Sequence, residues 1–382
     1  MIMNPFEARA TPGVKGLRPY QPGKPIDELQ REYGVSDVVK LASNENPLGP
    51  SPAVLAALQN KFAELARYPD GNGFELKQAL AAKHDVDMAQ ITLGTGSSDP
   101  LEFVVRVFVQ PGDEVMFSEH AFAMYPIITQ AASATAVITP ANTLPPNKWG
   151  HDLDAMRAAV TDRTRVIFIA NPNNPTGTWL SDEALRSFIA DVPERVMVVV
   201  DEAYFEFASD SALGAVNYPD ATQWLDHFPH LMVTRTFSKA YGLAGLRVGY
   251  SLSHPNVANL LNRIRPPFNV NSLALAAAQA SLSDADHMRR GVALNAEQMN
   301  VMTTAVKKMG LDFIPSVGNF VCIDVGGSSS EGNAASVYEA LLHEGVIVRP
   351  VANYGMPRHL RVTLGLAEEN ARFLAALAKV LA

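Results

Sequence analysis

Short apolar runs alternate with segments of helical period through the middle of the chain. Ile91–Leu93, Val166–Ala170, Met197–Val200 and Leu231–Thr234 are continuously apolar and rich in β-branched residues, and Glu114–Ser118 has a similar core. Such runs predict strands buried on both faces, as in a mostly parallel sheet between helices. The intervening segments predict helices over Asp99–Val109 and around Tyr125–Ala132. Upstream, Val54, Leu55, Leu58, Phe62 and Leu65 recur at helical spacing. Residues 1–45 are rich in Pro and Gly and begin as an arm, followed by a helix over Ile26–Tyr33 and a strand around Val38–Leu41. A stiff, turn-rich loop then covers Ser43–Pro52. The last third differs in character. It predicts a long helical region (Ser272–Met309), a strand (Phe320–Asp324), a Gly/Ser loop (Gly326–Gly332) and a helix (Ala335–Glu344). Strands near Val346–Arg349 and Leu360–Thr363 and a closing helix complete it. The expected fold is α/β, with a large domain over residues 46–270 and a smaller α+β domain over 271–382. The arm, residues 1–45, joins the smaller domain.

Composition narrows the classes of partner. The 382 residues carry 31 Lys+Arg against 39 Asp+Glu, a formal charge of −8, which disfavours nucleic acid and acidic membrane surfaces. A single cysteine, Cys322, excludes an internal disulfide framework and any multi-cysteine metal site. His227 and His230 read as a surface pair, so no metal is expected. No apolar run approaches the roughly 20 residues needed to span a bilayer, and the N-terminus lacks the apolar segment of a signal peptide. A cytoplasmic protein is expected.

In an open α/β sheet, ligands gather at the carboxyl ends of the strands, so the polar residues after each run carry the candidate chemistry. Gly94–x–Gly96 before Ser97, Ser98 and Asp99 is a strand-to-helix turn that suits any phosphate. It reads equally as a helix start capped by Ser97 or Ser98, and Asp99 stands where a dinucleotide fingerprint has its third glycine. Asn173–Gly177 is a turn sequence whatever its role. Asp201 ends an apolar strand, where a carboxylate calls for a buried cationic partner such as a protonated ring nitrogen. Lys239 follows small hydroxyl residues at a strand end, where limited solvent lowers an amine's pKa and makes it a Schiff-base nucleophile. Ser238 and Arg247 beside it suit a dianionic phosphate.

Together these motifs resemble the histidinol-phosphate aminotransferase family of fold-type I, pyridoxal-phosphate-dependent aminotransferases. The resemblance rests on Leu41–Pro47, Asn173–Gly177, Asp201–Tyr204, Thr234–Tyr250 and Leu360–Gly365, and runs from about Tyr20 to the end. It implies a seven-stranded, mostly parallel sheet in the large domain. It implies pyridoxal 5'-phosphate held as an internal aldimine by Lys239, with Asp201 on the pyridinium nitrogen and Tyr204 and Asn174 on the phenolic oxygen. Ser97, Ser98, Ser238 and Arg247 would form the phosphate cup, and Phe122 would stack on the ring. Arg361 would take the substrate carboxylate, while Tyr20 and Arg349 would lie near the substrate's distal end. Tyr68 would reach the partner's cofactor phosphate in a homodimer with shared sites. The implied reaction interconverts histidinol phosphate and 2-oxoglutarate with imidazole-acetol phosphate and glutamate, by a ping-pong mechanism, in histidine biosynthesis. Many family members have Pro–Pro–Thr–Tyr where this chain has Glu119–Phe122; Phe122 keeps the ring face and loses the hydroxyl.

The alternative on the same scaffold is an aromatic amino-acid (Phe/Tyr) aminotransferase, which differs only in pocket residues. A dinucleotide-dependent dehydrogenase built on Gly94–x–Gly96 would leave Lys239, Asp201 and Asn174 without a task.

Overall fold

The computed structural model describes residues 5–145, 147–215, 217–326 and 334–382. Its strands, in chain order, are β1 (Val39–Lys40), β2 (Ile91–Gly94), β3 (Glu114–Ser118), β4 (Thr135–Thr139), β5 (Thr164–Ala170), β6 (Met197–Asp201) and β7 (Leu231–Thr236). They continue with β8 (Gly249–Ser253), β9 (Phe313–Ile314), β10 (Phe320–Asp324), β11 (Val346–Ile347), β12 (Arg349–Pro350) and β13 (His359–Thr363). Seven of them form one sheet in the order β2-β8-β7-β6-β5-β3-β4. Within it, β8 is antiparallel to both neighbours and every other pair is parallel.

The continuous apolar runs are explained by this sheet having two covered faces. Along β5, Val166, Phe168 and Ala170 pack with Leu101, Tyr125 and Leu261 of the helices Ser98–Phe108, Met124–Ala131 and Pro255–Ile264. Ile167 and Ile169 point the other way, into a core with Leu80, Phe188 and Ala277 of the helices Phe74–His84, Asp182–Asp191 and Ser272–Ser283. Each fully buried aliphatic or aromatic side chain contributes about 1.5–3 kcal/mol, so apolar residues are favoured at both parities. The helix Pro52–Lys61 starts where proline and a capping serine predict, with Ser51 Oγ accepting from the Val54 N–H.

A second, antiparallel sheet has the order β12-β13-β10-β9, and β1 pairs in parallel with β11 beside it. Leu41, Met302, Ile323, Leu341, Val362 and Phe373 form its core, so the segment after the arm packs with the C-terminal third.

Several sequence expectations change in detail. The helical region 272–309 is two helices, Ser272–Ser283 and Ala285–Lys308. The break is at Asp284, whose carboxylate caps the second helix by accepting from the His287 N–H at 3.1 Å. The strand expected over Val346–Arg349 divides into β11 and β12. The Gly/Ser loop lies outside the described residues beyond Gly326. His230 is buried against the Ile189 carbonyl while His227 is exposed, so the two are not a surface pair. The tertiary environment, a strand start under the helix Asp182–Asp191, overrides the polarity of His230.

Only Val54 of the stripe on Pro52–Lys61 and the turn after it is buried. Leu55, Phe62 and Leu65 are about half exposed on this chain. Among the described residues no helix is long and apolar enough to cross a membrane, and no group of three or more His, Cys, Asp or Glu is placed to hold a metal.

Candidate active site

A cleft opens at the carboxyl ends of β5, β6 and β7, where an open α/β sheet places its ligands. Every residue singled out from the sequence lines it except Tyr68. Tyr68 lies in a separate hollow, 82% exposed and stacked on Phe268 at 4.6 Å.

Lys239 enters from the turn after β7, and its Nζ donates to the Ser43 carbonyl at 3.0 Å. Burial is the main cause that lowers its pKa to about 7, with the nearby Arg361 guanidinium adding to it. A neutral carbonyl as the sole hydrogen-bond partner leaves this amine available as a base or nucleophile near neutrality.

Asp201 ends β6 on the floor of the cleft. Tyr125 donates its hydroxyl to Oδ2 at 2.9 Å and Thr234 donates to Oδ1 at 3.0 Å. Burial raises the carboxyl's pKa while these two hydroxyls oppose the rise. The Ala203 backbone N–H opposes it too, and a buried carboxylate held only by neutral donors among the described residues is a receptor for a cation. Tyr204 is buried, with its hydroxyl 2.7 Å from Asn44 Nδ2 and its ring edge-on to Phe320. Burial pushes its pKa up to about 12, so it stays a phenol.

The opposite wall is cationic. Arg361 on β13 donates Nη1 to Asn174 Oδ1 and Nη2 to the Ala42 carbonyl at 2.7 Å, while its buried Nε has no partner among the described residues. No carboxylate of the described residues forms an ion pair with it. A buried guanidinium with a free donor and no counter-ion is a seat for an anion. Arg349 on β12 donates to the Gln21 carbonyl at 2.6 Å and lies 5.8 Å from the Tyr20 ring centroid. That contact brings the N-terminal arm to the mouth of the cleft.

At the far end, Ser97 and Ser98 open the helix Ser98–Phe108, and Arg247 donates to Ser238 Oγ at 3.3 Å. The serine side chains do not cap the helix. Asp99 instead accepts from the Thr95 N–H at 2.8 Å, which leaves both hydroxyls and the helix N-terminus turned to the cleft. Gly96 has φ of +73° and passes so close to Arg247 that a Cβ there would lie 2.7 Å from Nη2. Any larger residue would displace the guanidinium from this anion cup.

The cleft thus offers an amine, a cation receptor and two anion seats around one space. The family pattern for class I and II aminotransferases matches residues 36–377. The chain belongs to that family. Over 379 residues it is 57% identical to histidinol-phosphate aminotransferase 2 of Pseudomonas fluorescens, covering 99% of this chain and 98% of that one. It is 56% identical to histidinol-phosphate aminotransferase 2 of Pseudomonas aeruginosa over all of both chains. Among solved structures it resembles the histidinol-phosphate aminotransferase of Sinorhizobium meliloti in complex with pyridoxal-5'-phosphate. There the TM-score is 0.86 at 30% identity, with 98% of each chain covered. The fold is also that of Thermus thermophilus aspartate aminotransferase with maleate, TM-score 0.82 at 21% identity.

Three contacts of this aminotransferase family member were not singled out from the sequence. Tyr125 follows Phe122 by three residues across the turn that opens the helix Met124–Ala131, and the two rings meet edge to face. Thr234 meets Asp201 only because β7 pairs with β6 in that register. Asn44 reaches Tyr204 from a left-handed backbone position, φ of +53°, within a motif whose order gives no hint of that contact.

Proposed function

We propose that this chain is a pyridoxal-phosphate-dependent aminotransferase that interconverts histidinol phosphate and 2-oxoglutarate with imidazole-acetol phosphate and glutamate. The observation that carries the reading is the buried lysine of lowered pKa, Lys239, in one cleft with the buried carboxylate Asp201. The residues present fit the cofactor. Asp201 has no cation of its own and Ser97, Ser98, Ser238 and Arg247 form an anion cup. The face of Phe122 lines the space between them.

When bound, pyridoxal phosphate supplies an aldehyde carbon that accepts amines and a ring that withdraws electrons from a substrate's Cα. Asp201, held by Tyr125 and Thr234, would pair with the ring nitrogen and favour its protonated form. Tyr204 and Asn174 hydrogen-bond the phenolic oxygen. Lys239, about half in its neutral form at pH 7, would move a proton from the donor's Cα to the cofactor's C4′ carbon in the first half-reaction and from that carbon to the acceptor's Cα in the second. Arg361 takes the carboxylate of glutamate and the phosphate of histidinol phosphate in turn, since a guanidinium fork suits both anions. One cleft for both donors makes the kinetics ping-pong. Tyr20 and Arg349 close the distal end.

Steady-state rates test the substrate. Histidinol phosphate is expected to exceed phenylalanine and tyrosine as donor by about 10⁴-fold in kcat/KM, the scale for a site built to bind a polar group the rivals lack. Equal rates for all three would transfer the assignment to the aromatic amino-acid enzyme.

The same reading makes the protein a homodimer. Leu55, Phe62, Leu65, Tyr68, Phe74 and Phe268 are all exposed on the isolated chain, and apolar surface of this extent marks an interface. Tyr68 would then reach the partner's cofactor phosphate. Sedimentation is expected to give twice the chain mass of 41.2 kDa; a monomer that is fully active would refute shared sites. The buried free thiol of Cys322 fits the reducing cytoplasm.

A further inference from the structure

Beneath the cleft floor lies a buried ionic cluster that the reaction does not use. Asp201 and Glu202 are consecutive, as are Thr234 and Arg235, so each pair sends its side chains to opposite faces of the sheet. On the cleft face Thr234 bonds Asp201. On the other face Arg235 Nε and Nη2 both donate to Glu202 Oε2, at 2.9 and 2.7 Å. Their side chains are 2% and 0% exposed. Glu202 Oε1 accepts from the Ala221 N–H at 3.0 Å, and Arg235 Nη2 also donates to Asp220 Oδ1 at 2.7 Å. The guanidinium carbon lies 3.4 Å from the Phe205 ring centroid. Tyr218, two residues before Asp220, donates its hydroxyl to the Asn171 carbonyl at the start of the loop that carries Asn174.

Burying two charges carries a desolvation cost that apolar side chains of similar volume avoid. Stability alone therefore does not explain the pair. Its geometry does: one rung ties β6 to β7 one residue beyond Asp201, and its branches hold the 218–222 segment against both. We propose that Arg235 and Glu202 are positioning residues that fix the ends of β6 and β7, and with them the placement of Asp201 relative to Lys239. Neither touches substrate or cofactor. The inference rests on the function proposed above, because it is for that cofactor that the placement matters.

The test compares full-length wild-type protein with Arg235→Met/Glu202→Leu and with Glu202→Gln. Apolar replacement of a buried pair is commonly neutral for stability, so the double variant is expected to melt within about 5 °C of wild type. Its kcat is expected to fall about tenfold or more with KM for glutamate within about twofold, and its Kd for pyridoxal phosphate, read by absorbance, to rise about tenfold. Glu202→Gln, which keeps the side-chain volume, is expected to move kcat and the cofactor Kd in the same direction. A folded variant whose kcat and cofactor Kd both stay within about twofold of wild type would overturn the inference. If the double variant does not fold, Glu202→Gln decides by the same criterion. Wild-type protein that takes up no pyridoxal phosphate would overturn the functional reading itself, and this inference with it.

Discussion

Lys239→Ala is expected to abolish the visible absorbance of the purified, cofactor-loaded protein and to lower kcat about 10⁴-fold, the upper range for loss of a positioned acid–base group. In the proposed mechanism the side chain would supply both the amine that bonds the cofactor and the base for the Cα proton, and no neighbour offers a replacement. Ser43 offers a carbonyl and Tyr204 a phenol whose pKa is pushed up to about 12. The same assignment fixes a pH profile. The amine titrates near pH 7 because burial disfavours its charged form, and only the neutral form attacks an aldehyde. Uptake of pyridoxal phosphate by the cofactor-free wild-type protein should therefore accelerate about tenfold from pH 6 to pH 8 and then level off. A profile that falls with rising pH, or a variant that keeps the visible band, would remove Lys239 from the role.

Arg361→Ala is expected to lower kcat/KM for glutamate and for histidinol phosphate about 10²–10³-fold, chiefly through KM. Removing one partner of a buried, hydrogen-bonded charge pair costs about 2–5 kcal/mol, and each 1.4 kcal/mol is a factor of ten. The guanidinium already holds Asn174 and the Ala42 carbonyl, yet its Nε has no partner among the described residues. The mutation removes the whole guanidinium that the proposal assigns to the substrate anion. The Kd for pyridoxal phosphate should change much less, since the phosphate seat proposed for it is at Ser97, Ser98, Ser238 and Arg247. Equal losses in donor and cofactor binding would make Arg361 a structural residue.

Much of this site could be read before the fold was known because its chemistry is local. Thr236–Phe237–Ser238–Lys239 and Asp201–Glu202–Ala203–Tyr204 keep their functional groups within a few residues of a strand end, and a strand end is where such a sheet places ligands. What escaped was what depends on pairing between distant segments. Tyr125 and Thr234 are ordinary core residues by sequence, and only the stacking of one helix and the register of one strand turn their hydroxyls onto Asp201. Arg235 reads as one more polar residue in the lysine motif, yet it is among the most deeply buried side chains in the chain.

The sequence by itself determined the strand-and-helix alternation, the class of sheet and the lysine put forward as the amine. A run buried on both faces is apolar at most positions, and that constraint is visible one residue at a time. The tertiary structure alone decided which groups surround the amine and carboxylate, where the region 272–309 breaks, and that His230 is buried. It also decided that Tyr68 lies outside the cleft of its own chain and that the apolar residues around it face outward. Burial, register and counter-charge are sums over neighbours far apart along the chain, and no local pattern contains them.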